Sequence, residues 1–255
     1  KDSAMNLQYA VKDVTDIAAR FKARDSSIQT YLFTNEKAVK DSIAAIKKIL
    51  GATGVNDKVI LSFSGHGMLD TAYNFYFAAW DMDFAAPQQK GISFNDISGL
   101  LNDVPARRKM ILIDACHSGE VDRDVISFAT AANPDTAFVK KYVRGQKLLG
   151  KGKSNTNIAK LMEQYFSDIA KDNGANIISA AAGEEYALES AEWNNGVFSY
   201  SFIKGFFEKK ADSNYDGKVT QAEIRKYMQQ MVLQLTQGKQ QPAARSINAD
   251  YDWVL

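Results

Sequence analysis

The chain contains one cysteine and two histidines, so any chemistry that depends on a thiol has few residues to use. A thiolate is a strong nucleophile, but a catalytic cysteine needs an imidazole to take its proton and donors to hold the oxyanion. His117 follows Cys116 directly, and neighbours in an extended chain point to opposite sides, so its ring should turn away from the sulfur. His66 is therefore the candidate base and Cys116 the candidate nucleophile. The alternative is that Cys116 is a packing residue and His66 an ordinary loop histidine.

Two short apolar runs come directly before these residues. KVILSF at 58–63 is followed by the SGHG that contains His66, and KMILID at 109–114 is followed by the ACHSG that contains Cys116. Continuous runs of this kind are typical of strands covered on both faces. Because ligands in parallel sheets bind beyond the carboxyl ends of strands, two adjacent strands would bring both groups to one sheet end.

Helical and strand patterns alternate along the rest of the chain. Apolar residues at steps of three or four predict helices at roughly 5–23, 158–169, 198–207 and 221–235. Another helix is predicted to run to Leu50, with Thr34 or Asn35 as its N-cap. A further helix is predicted from Ser93, which forms a capping box with Asp96, to Leu101. Strands are predicted at about 28–33, 73–80 and 175–182. This alternation predicts an α/β fold, a mostly parallel sheet with helices on both faces.

Composition limits the class of partner. The 31 basic and 30 acidic residues give a net charge of +1, so nothing favours nucleic acid or an anionic membrane. No apolar run is long enough to span a membrane and the start lacks a signal-peptide pattern, so we expect a cytoplasmic protein. A single cysteine excludes an internal disulfide and a Cys-rich zinc site.

One domain is expected for 255 residues of which 45% are hydrophobic. A connection at about 120–156, rich in small, polar and basic residues, divides it into a first part, about 1–120, and a second part, about 157–255. No regular pattern is sustained in this connection, and the sequence does not indicate an oligomeric state.

The motifs around the two candidate residues resemble the signature pair of the caspase-like peptidases, family C14, which includes metacaspases and bacterial relatives. SFSGHG at 62–67 and ILIDACHSG at 111–119 place His66 fifty positions before Cys116, a separation similar to that of caspases. NIISAAAGEEYALES at 176–190 and NGVFSYSFIKGF at 195–206 extend the similarity into the second part of the chain.

The resemblance implies a caspase-like fold and a cysteine endopeptidase acting on protein or peptide substrates. By it, His66 is the base, Cys116 the nucleophile, and the backbone amides of Gly67 and Cys116 form the oxyanion hole, with no cofactor required. Members of the family open with a central strand before the first helix, so we expect an upstream segment before Lys1.

The residue two places before the nucleophile bears on specificity. True caspases carry Gln there and bind an Asp side chain with arginines, whereas this chain carries Asp114. A carboxylate facing the first-subsite pocket would bind Arg or Lys and repel Asp, as in metacaspases. Glu184 and Glu185 make an aspartate pocket less favourable still. The alternative is that Asp114 only caps the end of its strand.

The basic connection is also where many family members are cut during maturation. We predict self-cleavage after one of its basic residues, Lys140, Lys141, Arg144, Lys147, Lys151 or Lys153. A solvated basic loop that is never cut is the alternative.

A further motif indicates calcium. Asp212, Asn214, Asp216, Gly217, Thr220 and Glu223 match positions 1, 3, 5, 6, 9 and 12 of an EF-hand loop, and Lys218 offers its carbonyl at position 7. EF-hands usually occur in pairs and no second copy exists here, so the segment could instead only cap the following helix.

Two functions of other classes stay open at this stage. One is a catalytically silent caspase-like module that binds or regulates a partner. The other is a calcium-responsive adaptor that depends on the loop at 212–223.

Overall fold

A four-stranded sheet lies at the centre of the molecule. The computed structural model describes residues 7–70, 72–115, 142–143, 158–180, 187–246 and 252–255. The strands β1 (Lys58–Ser64), β5 (Arg108–Asp114) and β7 (Asn176–Ser179) run parallel, and β10 (Ala243–Arg245) pairs antiparallel with β7. The order β1-β5-β7-β10 confirms the predicted, mostly parallel sheet.

Two small antiparallel sheets flank the main one. The first contains β2 (Gly67–Leu69), β3 (Phe75–Phe77) and β4 (Ile92–Ser93), so the strand predicted at 73–80 is present but shorter. The second contains β6 (Tyr142–Val143), β8 (Leu188–Ser190) and β9 (Asn195–Gly196). The strand β6 belongs to the connection at 120–156, where no regular structure was predicted. The rest of that connection lies outside the described residues.

Helices form where the apolar spacing predicted them, with some shifts of their ends. The α-helices are α1 (Ala10–Arg24), α2 (Ser42–Gly51), α3 (Pro87–Lys90), α4 (Phe94–Leu101), α5 (Ile158–Asn173), α6 (Val197–Phe202) and α7 (Gln221–Leu235). A π-helical turn, Ile203–Phe207, continues α6. The predicted capping box of Ser93 and Asp96 is present at the start of α4.

Helices cover both faces of the sheet because residues of β5 alternate between two cores. Ile111 and Ile113 pack in the core that includes side chains of α2, α4 and α5. Met110 and Leu112 pack in the core that includes side chains of α1, α6 and α7. Successive side chains of a strand point to opposite faces, so a continuous apolar run is what a strand covered on both sides requires.

The prediction of a strand at 28–33 is wrong. These residues are irregular, and Tyr31 and Leu32 are 55% and 43% exposed. A β-branched and aromatic run forms a strand only beside a partner. In the described part of the sheet, β1 stands at one end of the strand order and pairs only with β5, and the segment at 28–33 does not join it.

The helix predicted to start at Thr34 or Asn35 begins later. Thr34 precedes only a short 3-10 turn, Asn35–Lys37, and the α-helix starts at Ser42. The Ser42 hydroxyl donates to the carbonyl of Lys37 at 2.7 Å, which links the two segments. Among the described residues, none of the helices has the length and apolar character needed to cross a bilayer.

Candidate active site

The ends of β1 and β5 form the frame of the candidate site. The two strands are in register along their whole length, and the last pair is Ser64 opposite Asp114. The amide of Gly65 donates to the carbonyl of Asp114 at 3.2 Å, so the pairing continues one residue past β1. His66 follows Ser64 by two positions and Cys116 follows Asp114 by two positions. Cys116 lies outside the described residues, so the approach of its sulfur to the His66 ring stays a prediction.

His66 occupies the turn between β1 and β2. Its carbonyl accepts a hydrogen bond from the amide of Ala78 at 2.9 Å. Its half-buried ring stands edge-on to Phe84, with ring centroids 6.0 Å apart and planes at 81°. Backbone pairing and an aromatic contact together hold this residue at the carboxyl end of the sheet.

The glycines beside His66 differ in their surroundings. No atom of the described residues lies within 4 Å of where a Cβ on Gly65 would be. Gly67 is buried, begins β2 and lies opposite Phe77. Among the described residues other than its own chain neighbours, nothing lies against Gly65 on the side where a Cβ would be. The oxyanion role of the Gly67 and Cys116 amides stays a prediction.

Asp114 points into the molecule, towards the second part of the chain. Its side chain is buried, with residue exposure of 1%. One carboxylate oxygen, Oδ2, accepts from the amide of Ser199 at 3.2 Å and from the Ser199 hydroxyl at 2.7 Å. Hydrogen bonds of this kind stabilise a buried carboxylate. They tie the end of β5 to α6, and the binding of substrate by Asp114 stays a prediction.

A second buried carboxylate, Asp13 of α1, was missed from the sequence. It is 0% exposed, and its Oδ2 accepts from the Ser64 hydroxyl at 2.9 Å. Its Oδ1 accepts from the Asn195 side chain at 3.0 Å and from the Gly196 amide at 2.9 Å. The available signal was its spacing: Asp13 lies four residues before Ile17, on the apolar stripe that buries α1.

Glu189 of β8 is a third buried carboxylate in this region. It is fully buried and accepts from the amides of Gln8 and Tyr9, at 2.8 and 3.4 Å, just before α1. It lies directly opposite Gly196 in the β8–β9 pair, and Gly196 also donates to Asp13. The three residues Asp13, Asp114 and Glu189, called the buried carboxylates below, thus surround the segment where β9 leads into α6.

The acidic loop, residues 212–223, forms its own hydrogen bonds. Asp212 accepts from the amides of Asp216 and Gly217, and Asp216 accepts from the amide of Lys218. Asn214 also accepts from the amide of Asp216, at 2.9 Å. Gly217 adopts the left-handed conformation that favours glycine, with φ of +79°.

Glu223 ends the acidic loop as part of a capping box with Thr220 at the start of α7. Its second oxygen accepts from the amide and hydroxyl of Ser213, at 3.0 and 2.9 Å. Partial burial favours the neutral acid, but the hydrogen bonds from Thr220 and Ser213 outweigh it and hold the pKa of Glu223 below its usual value. The helix cap named as the alternative is therefore present. Within the described ranges, no group of three His, Cys, Asp or Glu side chains is arranged to hold a metal; calcium binding stays a prediction.

Other residues named from the sequence lie outside the described residues. These are Glu184 and Glu185, and the basic residues proposed as cleavage sites, Lys140, Lys141, Arg144, Lys147, Lys151 and Lys153.

Comparison with known proteins agrees with this fold. The family model for the caspase domain of peptidase C14 matches residues 1–251. Protein GSU0716 from Geobacter sulfurreducens, a solved structure, shares 16% identity with a TM-score of 0.57, over 95% of this chain and 85% of that one, which is a likeness of fold. No curated protein matches the sequence. Since the family model spans nearly all of the chain, the protein belongs to the caspase-domain family of cysteine peptidases, C14.

Proposed function

We propose that the protein is a cysteine endopeptidase in which Cys116 attacks the peptide carbonyl and His66 handles the proton. His66 takes the thiol proton, and the thiolate adds to the carbonyl carbon while the Gly67 and Cys116 amides hold the oxyanion. The tetrahedral species collapses, His66 gives its proton to the leaving amine, and an acyl-enzyme remains. Water, deprotonated by His66, then releases the acid and restores the thiol.

The observation that carries the proposal is the register of β1 and β5. Ser64 pairs with Asp114, and each is followed two positions later by one of the two reactive residues. Both groups therefore leave the same end of adjacent parallel strands, which is where such sheets bind their ligands. A silent binding module would have no need for either side chain.

We propose a preference for Arg or Lys before the cleaved bond. Asp114 is the last residue of β5, and Asp13 accepts a hydrogen bond from Ser64, the last residue of β1. Two buried carboxylates thus lie at this end of the sheet. Their negative charge favours a cationic side chain and disfavours an aspartate. The hydrogen bonds of both residues would also suit a purely structural role. Substrate profiling distinguishes a role in specificity from a structural role.

The first test is substitution of the reactive pair. Cys116→Ala and His66→Ala should each lower turnover of an Arg-terminated reporter peptide by on the order of a thousandfold or more. Wild type should cut Arg and Lys reporters and leave an Asp reporter intact. Unchanged turnover in Cys116→Ala would refute the peptidase proposal, and faster cleavage after Asp would refute the preference alone.

We further propose that the protein cuts itself in the basic connection at 120–156. The described piece of this connection, Tyr142–Val143, pairs with β8, with Tyr142 opposite Glu189. The candidate sites Lys141 and Arg144 directly flank that pair. Mass spectrometry of wild type should find fragments ending in Lys or Arg within the connection, absent from Cys116→Ala. Active enzyme that stays intact would contradict self-cleavage.

A further inference from the structure

Ser199 is the only residue of α6 with two described hydrogen bonds to a buried carboxylate. Its amide and hydroxyl both donate to Oδ2 of Asp114, at 3.2 and 2.7 Å. Both residues are buried, Ser199 at 2% exposure. A short bond from a hydroxyl to a carboxylate is among the stronger hydrogen bonds in proteins and fixes the direction of the acceptor.

A buried carboxyl group such as that of Asp114 needs such donors. Taking a carboxylate out of water favours its neutral form unless donors replace the lost hydration. Since Ser199 supplies two donors to the same oxygen, it replaces part of the lost hydration and fixes one orientation of the group. A cationic side chain that reaches the carboxyl group would then meet a preorganised acceptor.

We propose that Ser199 is a positioning residue that sets the preference for a basic substrate by orienting the Asp114 carboxyl group. The inference rests on the proposed function, since it concerns how the same site selects its substrate. Ser199 touches Asp114 and is not assigned a contact with the reacting atoms. The preference carried by β5, in the first part of the chain, would thus be controlled from a helix 85 positions away in the second part.

The chain offers a matched control on the same helix. Ser201 is fully buried, and its hydroxyl donates to the carbonyl of Val197 at 2.7 Å, within α6. Ser201→Ala therefore removes the same atom from the same helix without touching Asp114.

The test compares a reporter peptide ending in Arg with one ending in citrulline, its neutral isostere. The ratio of the two kcat/KM values measures selection for charge. Ser199→Ala should lower this ratio roughly tenfold, mainly through KM for the Arg peptide, as expected for the loss of a hydrogen bond to a charged group. Ser201→Ala should leave the ratio within about twofold of wild type.

Two further variants keep the test sensitive if Ser199→Ala folds poorly. Ser199→Thr retains the hydroxyl and should restore the ratio, whereas Ser199→Cys has a weaker donor and should give an intermediate value. Equal ratios in all Ser199 variants, or an equal fall in Ser201→Ala, would overturn the positioning role while leaving the peptidase proposal intact. Absence of any Cys116-dependent turnover in wild type would instead overturn the proposed function, and this inference with it.

Discussion

The sheet-end site and the acidic loop are assembled over different distances along the chain. Asp13 binds Gly196 across 183 positions and Asp114 binds Ser199 across 85. In the acidic loop, the hydrogen bond between Ser213 and Glu223 spans only ten positions. A local motif can satisfy its own polar groups, whereas the sheet-end site exists only when both parts of the chain are folded together.

Substitution of Asp13 should cause the largest loss of stability. Asp13→Ala leaves the Gly196 amide and the Asn195 side chain without this acceptor inside the protein, so we expect a loss of about 2–3 kcal/mol in the free energy of unfolding. Asp16 lies one turn further along α1 in a partly exposed ion pair with Lys12, and it also accepts from the Asn195 side chain at 3.2 Å. Asp16→Ala removes one partly exposed contact of this kind and should cost about 1 kcal/mol.

Urea unfolding of both variants beside wild type gives the two values directly. Similar losses for Asp13→Ala and Asp16→Ala would show that the buried bonds of Asp13 with Ser64 and Gly196 contribute no more than the partly exposed contacts of Asp16. The comparison between the two regions would then lose its energetic basis.

Removal of the helix cap that Thr220 provides at the start of α7 should cause a smaller loss of stability. Thr220→Ala removes the side chain that accepts from the Glu223 amide at 3.3 Å, and a lost cap costs about 1 kcal/mol. Ser93→Ala, in the second capping box, is the matched control and should cost about the same. Thermal unfolding measures both, and a much larger loss for Thr220→Ala would mean that the loop supports more than the start of α7.

Acidification should weaken the same loop. The folded-state pKa of Glu223 is held below the unfolded value of 4.5, so its stabilising contribution is present above that pH and is lost as pH falls through the folded pKa. The difference in Tm between wild type and Glu223→Gln should therefore be largest near neutral pH and shrink below about pH 4. A difference that grows on acidification would contradict the assigned direction of the shift.

Calcium binding by the acidic loop is the smallest effect that we expect. The Glu223 oxygens already accept from Ser213 and Thr220, and an ion would have to replace these bonds. We therefore expect a dissociation constant no tighter than about 10⁻⁴ M, in the range of weak single sites. Calorimetry on wild type, with Glu223→Gln as the control, measures it. Complete absence of binding heat in wild type would reject the calcium hypothesis and leave capping as the role of the loop.

The strands were predictable where one sequence property decides the outcome. KVILSF and KMILID are largely apolar, and short runs of this kind are typical of a strand covered on both faces. IQTYLF at 28–33 has the same local propensity and still forms no strand, because pairing depends on a neighbour that the run itself does not specify. The short strand β6 was missed because two residues are too few to carry a periodic pattern.

The location of the site was predictable from the sequence, but several of the residues that surround it were not. Two motifs after two apolar runs were sufficient to place the candidate residues at one sheet end. Asp13 and Ser199 were missed because each belongs to a helix whose apolar face dominates the pattern. Their partners come from other elements, and no local spacing shows which carboxylate a buried amide or hydroxyl will contact.

The hydrogen bonds between the two parts of the chain also bear on what self-cleavage would produce. The β5–β7 pairing and the contacts of Asp13 and Asp114 join residues before the connection to residues after it. A cut in the connection breaks none of them, so the product would be a noncovalent heterodimer of two interlocked fragments. Its unfolding would then release two separate chains, so its melting temperature would fall on dilution, unlike that of the uncut chain.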